Sequence, residues 1–264
     1  MRSAILVAAV ALLAGCGSGN GGTATPVPLS QSSDNGGSTP TPNGAGGTIR
    51  TVLSPLGINL HSSASLTASR VGSASQGATL TVLTQQSSNG GWYQVQTSAG
   101  SGWIVADGTL TAPGYFQSYS STSRGFAALY PQSWTFAEEA NDALFRPQQG
   151  NQNIVVTSAG SLAGLGQQQL NGYAAKNQTS EVVCGVTGNL ITYSYGGSSS
   201  PTPDVGTAVL LTSRQVITLG LDGSHFLRIA YNYSGSPDTA FADFYNSMTF
   251  PFPQCEQTAT PSPT

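Results

Sequence analysis

Only two histidines, His61 and His225, can carry protons near neutral pH in this 264-residue chain. His225 closes the run Asp222-Gly223-Ser224-His225, where a hydroxyl, an imidazole and a carboxylate crowd together; a Ser–His–Asp triad would need His225 with Asp222 or Asp243. The same residues read more directly as the Asp-Gly turn of a hairpin between two strands. Glu138, Glu139 and Asp142 are close enough in sequence to pair as acid and base for glycoside hydrolysis, but they read first as a solvated loop after Trp134. Cys184 has no histidine near it in sequence. The nucleophile elbow Gly-x-Ser-x-Gly, the zinc motif His-Glu-x-x-His, Cys-x-x-Cys and the P-loop pattern do not occur. The expectation is a non-catalytic protein with no cofactor and no metal centre. A hydrolase would have to place its activity in residues 112–255.

The elements that must position these side chains fall into two textures. From Thr51 to Leu110 short β-rich runs, Leu80–Thr84, Trp92–Gln96 and Gly102–Val105, alternate with loop-like stretches, which predicts a small barrel. From Arg124 to Phe252 the predicted strands are Gly125–Tyr130, Asn153–Thr157, Leu190–Tyr195, Val205–Leu211, Arg214–Leu219 and His225–Tyr231. Gly166–Lys176 is expected to form a short helix. A terminal helix begins at Ser236-Pro237-Asp238 and carries Phe241, Phe244, Tyr245 and Met248 at helical spacing, a stripe that reads as core packing. The fold class expected is therefore two modules: a small all-β barrel at 49–111, then an α+β antiparallel-sheet sandwich at 112–255. With one lysine, seven arginines and a net charge of −3, the chain has no basic stripe, and nucleic acid is excluded as a partner.

The first module resembles a family. Gly57-Ile58-Asn59-Leu60, Val71-Gly72, Gln76–Leu83, Gly91-Trp92-Tyr93-Gln94-Val95 and Gly102-Trp103-Ile104 follow the order and spacing of bacterial SH3 (SH3b) domains. In the first element His61 stands where that family usually has Arg. The resemblance implies an antiparallel β-barrel and a role in binding peptidoglycan or another wall polymer, with envelope proteins as the alternative partners. Binding would use aromatic faces against sugar rings and amides as paired donors and acceptors, with Asn59, Trp92, Tyr93 and Trp103 as candidates. Trp92 and Trp103 each open a strand after a glycine and are expected in the core. Tyr93, pointing the other way from Trp92, is expected to be the exposed contact.

The chain's start carries a second resemblance. Met1-Arg2, an apolar run from Ala4 to Ala14, and Leu13-Ala14-Gly15-Cys16 together resemble a bacterial lipoprotein signal with its lipobox. The apolar run is shorter than the roughly 20 residues a spanning helix needs. The resemblance implies a signal peptide at 1–15, cleavage before Cys16 and acylation of that cysteine, which would hold the protein to membrane lipid on the extracytoplasmic side. Residues 16–48, rich in Gly, Ser, Thr, Pro and Asn with Asp34 the one charge, read as a disordered tether, and 256–264 as a disordered tail. The remaining cysteines, Cys184 and Cys255, suit one disulfide in an oxidising compartment. The element order of the second module, with Tyr130-Pro131-x-x-Trp134, is similar to PsbP-type domains, which implies a stabilising or docking module at a membrane; photosynthetic function is not carried over, because no residues here match a manganese or calcium site.

Overall fold

The structure is a computed structural model that describes residues 47–87, 90–166, 170, 172–197, 211–251 and 255. The signal peptide, Cys16, most of the tether, residues 205–210 of the Val205–Leu211 strand, and the tail lie outside the described residues.

Seven strands build the first sheet: β1 (Ile49–Val52), β2 (Ile58–His61), β3 (Arg70–Ala74), β4 (Thr79–Gln86), β5 (Trp92–Thr97), β6 (Gly100–Val105) and β7 (Thr111–Pro113). They lie in the antiparallel order β3-β2-β6-β5-β4-β1-β7. Alternation sends Val52, Ile58, Leu60, Ala74, Leu80, Val95 and Ile104 to one buried cluster. Gly102 is demanded by this closure: a Cβ there would sit 2.7 Å from the Cβ of Leu60, so any side chain would push β6 away from β2.

The remaining strands are β8 (Phe116–Ser121), β9 (Phe126–Pro131), β10 (Trp134–Glu139), β11 (Asp142–Pro147), β12 (Asn153–Ala159), β13 (Tyr173–Val183), β14 (Val186–Tyr195), β15 (Ser213–Asp222) and β16 (His225–Tyr233), followed by helix α1 (Ala240–Asn246). β10 to β16 form a second antiparallel sheet in the order β10-β11-β12-β16-β15-β14-β13, while β8 and β9 pair as a separate hairpin. Between them lies an aromatic core. Phe145 meets Tyr119, Tyr130 and Phe244 at ring distances of 5.1, 5.2 and 4.9 Å, and Tyr231 stacks on Tyr233 and Phe241. The terminal helix covers this core through Phe241 and Phe244, with Met248 following.

This overturns the expected α+β sandwich. The described chain is almost entirely β, sixteen strands in three antiparallel sheets with one seven-residue helix. The helix expected over Gly166–Lys176 is replaced by a three-residue 3-10 turn at Ala163–Leu165 and by β13, which already runs from Tyr173. Gly164, Gly166 and Gly172 break helical continuity there, and Tyr173 instead pairs across the sheet with Tyr195. The expected loop after Trp134 is likewise a strand pair, β10–β11, in register from Trp134↔Pro147 to Glu139↔Asp142.

Cys184 and Cys255 form a disulfide. Cys184 and Gly185 take the two left-handed positions of the tight turn joining β13 to β14, so the bond ties the chain after α1 to a hairpin tip. With its cysteines 71 positions apart in sequence, the bridge stabilises the fold by roughly 4 kcal/mol on the chain-entropy model.

The two sheets are docked. Leu53 and Ala112 from the barrel side bury themselves with Leu129 of β9, and Phe116 packs against them. Gln76 donates from Nε2 to the carbonyls of Leu53 (2.8 Å) and Ser247 (2.7 Å), joining the β3–β4 turn to the end of α1.

Candidate functional site

On β5 the alternation decides which aromatic can meet a ligand. Tyr93 and Val95 face the barrel interior, and Tyr93 packs against the aliphatic cluster. The Arg50 guanidinium lies over its ring, 4.8 Å from the centroid. Arg50 itself is pinned by donating to Thr111 Oγ1 at 2.9 Å and to the Thr111 carbonyl at 2.6 Å. The expected exposed contact is thus half-buried against the cluster, and Trp92, expected in the core, is buried. The outward residues of β5 are Trp92, Gln94 and Gln96.

Cross-strand partners share a face. His61 of β2 lies directly opposite Trp103 of β6, and Trp103 lies opposite Gln94 of β5. Asn59, two residues from His61, belongs to the same face and is exposed. The result is a row across three strands, Asn59 and His61, then Trp103, then Gln94. Trp103 is half-buried on the outer side and is not a member of the aliphatic cluster. Trp92 shares this face but is only 1 % exposed, with the His61 ring edge-on to it at 5.7 Å. It supports the row from below and offers little surface of its own. Of the four expected contacts, Asn59 and Trp103 are placed to touch a ligand, Trp92 backs them, and Tyr93 holds the interior.

His61 Nδ1 lies 3.1 Å from the Ala68 carbonyl, so the proton sits on Nδ1 and Nε2 is left as the acceptor of the neutral ring. Arg70 was not singled out by the sequence. It lies opposite His61 across the β2–β3 pair, where a bulge skips Val71, and it is exposed, donating from Nε to the Gly72 carbonyl at 3.3 Å. It puts a guanidinium beside the position where the resemblance led one to expect an arginine. Only the register of the bulge reveals this, and no periodicity in the sequence marks it.

The residues weighed as catalytic are arranged for structure. In the turn between β15 and β16, Asp222 Oδ1 accepts the Ser224 backbone N–H (2.7 Å) and the Ser224 hydroxyl (2.9 Å). His225 Nδ1 is 2.8 Å from Asp222 Oδ2 and 3.1 Å from Ser224 Oγ. Serine and aspartate meet the same ring nitrogen, whereas a proton relay needs them on opposite ones. The Ser224 N–H and the His225 contact lower the Asp222 pKa to about 2. Glu138, expected in a loop, accepts the Tyr119 hydroxyl at 2.6 Å and faces Arg124 at 3.5 Å. Burial first, then that bond, pushes the Tyr119 phenol far up. Among the described residues no group of three or more His, Cys, Asp or Glu is placed to hold a metal.

No curated protein matches the chain. Its C-terminal part has a structural neighbour in the solution structure of cyanobacterial PsbP (CyanoP) from Synechocystis sp. PCC 6803, which is 17% identical, with 51% of this chain and 92% of that chain covered and a TM-score of 0.35. Residues 56–109, from the approach to β2 to just past the end of β6, match the family described as bacterial SH3 domain, to which this part of the barrel is similar.

Proposed function

We propose that the protein is a non-catalytic extracytoplasmic lipoprotein, held to a membrane through acylated Cys16, whose SH3 domain binds cell-wall polymer, peptidoglycan, on the Asn59–His61–Trp103–Gln94 face. The observation that carries this reading is that one row combines an aromatic face, two amides and an imidazole, with Arg70 at its edge. Neutral sugar and peptide groups present apolar faces flanked by hydrogen-bonding groups, and such a row meets both. The tether composition of residues 16–48 would let the domain reach about 30 Å from the lipid surface.

Co-sedimentation of the protein with isolated wall sacculi tests the binding. Trp103→Ala is expected to weaken pelleting about tenfold, the loss of one well-placed aromatic contact. Wild-type protein that stays in the supernatant would remove wall binding and leave docking of envelope proteins as the role. Clearing in a peptidoglycan zymogram would overturn the non-catalytic reading. Labelling with radioactive palmitate tests the anchor separately: incorporation should vanish in Cys16→Ser, and an unlabelled wild type would sink it.

A further inference from the structure

A hollow at the surface of the described residues lies away from the barrel face. It is a cleft of about 640 Å³ where the segment after β7, the β9–β10 turn and the start of α1 meet. This is within the usual size range of small-ligand sites, roughly 300–1,000 Å³. Pro113, Tyr115 and Pro131 give it apolar walls, and Tyr115 is 54% exposed although it is a large aromatic. Trp134 lies among the lining residues, and Asp238 and Asp243 bring carboxylates. No lysine or arginine is among the residues that line the cleft.

The two carboxylates differ in how fully they are engaged. Asp238 accepts the Tyr231 hydroxyl at 2.7 Å, the Ala240 N–H at 3.0 Å and the Gln152 amide at 2.9 Å, which together start α1 and leave it little capacity. Asp243 is 7% exposed, and its carboxylate accepts one side-chain hydrogen bond, from Thr239 at 2.8 Å. Arg50 lies near enough to act through its field, but its donors are directed at Thr111. A buried carboxylate with spare acceptor positions, facing a hollow with an exposed phenol ring and no cation, is complementary to one kind of group. A ligand ammonium would take charge-assisted hydrogen bonds from Asp243 and a cation–π contact from Tyr115.

We propose that this cleft is a second binding site, separate from the barrel face, for a ligand bearing a primary ammonium group on an uncharged stem, of the lysine side-chain type. It stands whether or not the barrel binds wall polymer. Two sources share that chemistry, a free diamine and a diamino-acid side chain within a peptide.

Isothermal titration of the full-length protein tests it, using 1,5-diaminopentane, Nα-acetyl-lysine methylamide and the neutral Nα-acetyl-norleucine methylamide. The acetylated lysine is expected to bind and the norleucine compound to fail. Binding of the diamine as well would assign recognition to the ammonium alone, and its failure would assign the site to peptide-borne amines. Asp243→Asn should weaken binding about tenfold, the scale of one charge-assisted hydrogen bond. Tyr115→Ala, at a side chain 54% exposed, should weaken it severalfold and carries the test if the Asp243 variant misfolds. Affinity should also fall as pH drops through about 6, where burial has placed the Asp243 pKa against the opposing effects of Thr239 and Arg50 and the assisting charge of Asp238. Equal binding of the norleucine compound, or no binding of either amine, overturns the proposal.

Discussion

The two sheets use their aromatic residues in opposite ways. In the second, with the β8–β9 hairpin and helix α1 that cover it, Tyr119, Phe126, Tyr130, Trp134, Phe145, Tyr231, Phe241 and Phe244 are buried in one cluster, with Phe145 edge-on to Tyr119 and Tyr231 stacked on Phe241. In the barrel the buried cluster is aliphatic, with Tyr93 at its margin, and both tryptophans lie on the other side of the sheet. A small barrel has little interior volume, so its large rings sit on the outer face, where Trp103 keeps surface for a contact while Trp92 is covered. A sheet closed by a hairpin and a helix has room for the rings and buries them. This difference is why a ligand surface is sought on the first sheet, while the second reads as support with a cleft at its edge.

The most severe way to break the contrast is to hollow each core. Phe145→Ala removes a fully buried ring touching four others and should lower stability by about 3–5 kcal/mol, and Leu80→Ala in the barrel by about 2–5 kcal/mol. Urea unfolding followed by tryptophan fluorescence measures both. A near-silent Phe145→Ala would mean that the aromatic cluster is not the stabilising core of the second sheet.

Whether the two regions are separate at all is tested next. Gln76 is the polar link between them, and Gln76→Ala leaves the carbonyls of Leu53 and Ser247, both on buried residues, without that donor. The expected loss is about 1–3 kcal/mol. Differential scanning calorimetry should show the sheets beginning to melt apart in the variant. One undivided transition at the wild-type temperature would show that the apolar contact of Leu53, Ala112 and Leu129 joins them alone.

The two faces of the barrel sharpen the comparison further. Tyr93→Ala should lower stability by removing a ring packed on the core, including about 0.5–1 kcal/mol of its contact with Arg50, while leaving the outer row in place. Trp103→Ala should do the reverse, losing sacculus binding with a smaller change in melting temperature. If Tyr93→Ala abolished binding with no loss of stability, the assignment of faces would be wrong.

How much of this was legible in the sequence follows the same division. The barrel could be read because its signals are local: glycine-aromatic pairs at strand starts and strict alternation over five or six residues. Alternation correctly set Trp92 and Tyr93 on opposite faces, but it cannot say which face is the interior. That is fixed by β1, which closes over Tyr93 and brings Arg50 from 43 positions earlier in the chain. In the second region, Glu138, Glu139 and Asp142 read as a loop because they are charged, yet the partners of Glu138, Tyr119 and Arg124, come from another hairpin. β13 was missed for a related reason: as an edge strand it is exposed along most of its length and carries no hydrophobic period. The disulfide could be anticipated by counting thiols, whereas the cleft could not, because its walls come from segments over a hundred residues apart.

The smallest expected effect concerns Asp243, where the barrel's Arg50 and the second region's helix come within electrostatic reach. Burial raises the folded-state pKa of Asp243 to about 6, above its ordinary value of 3.8. The folded protein therefore binds more protons than the unfolded chain between about 4 and 6, and stability falls as pH rises through that window. Asp243→Asn keeps an acceptor for the Thr239 hydroxyl but carries no charge. The variant should match the wild type near pH 4 and exceed it above pH 6 by on the order of 1 kcal/mol. Melting temperatures across this range measure the difference. A wild type that instead gained on the variant with rising pH would mean that Arg50 stabilises the ionised carboxylate more than burial penalises it, and the junction would then be an ion-paired contact between the two regions.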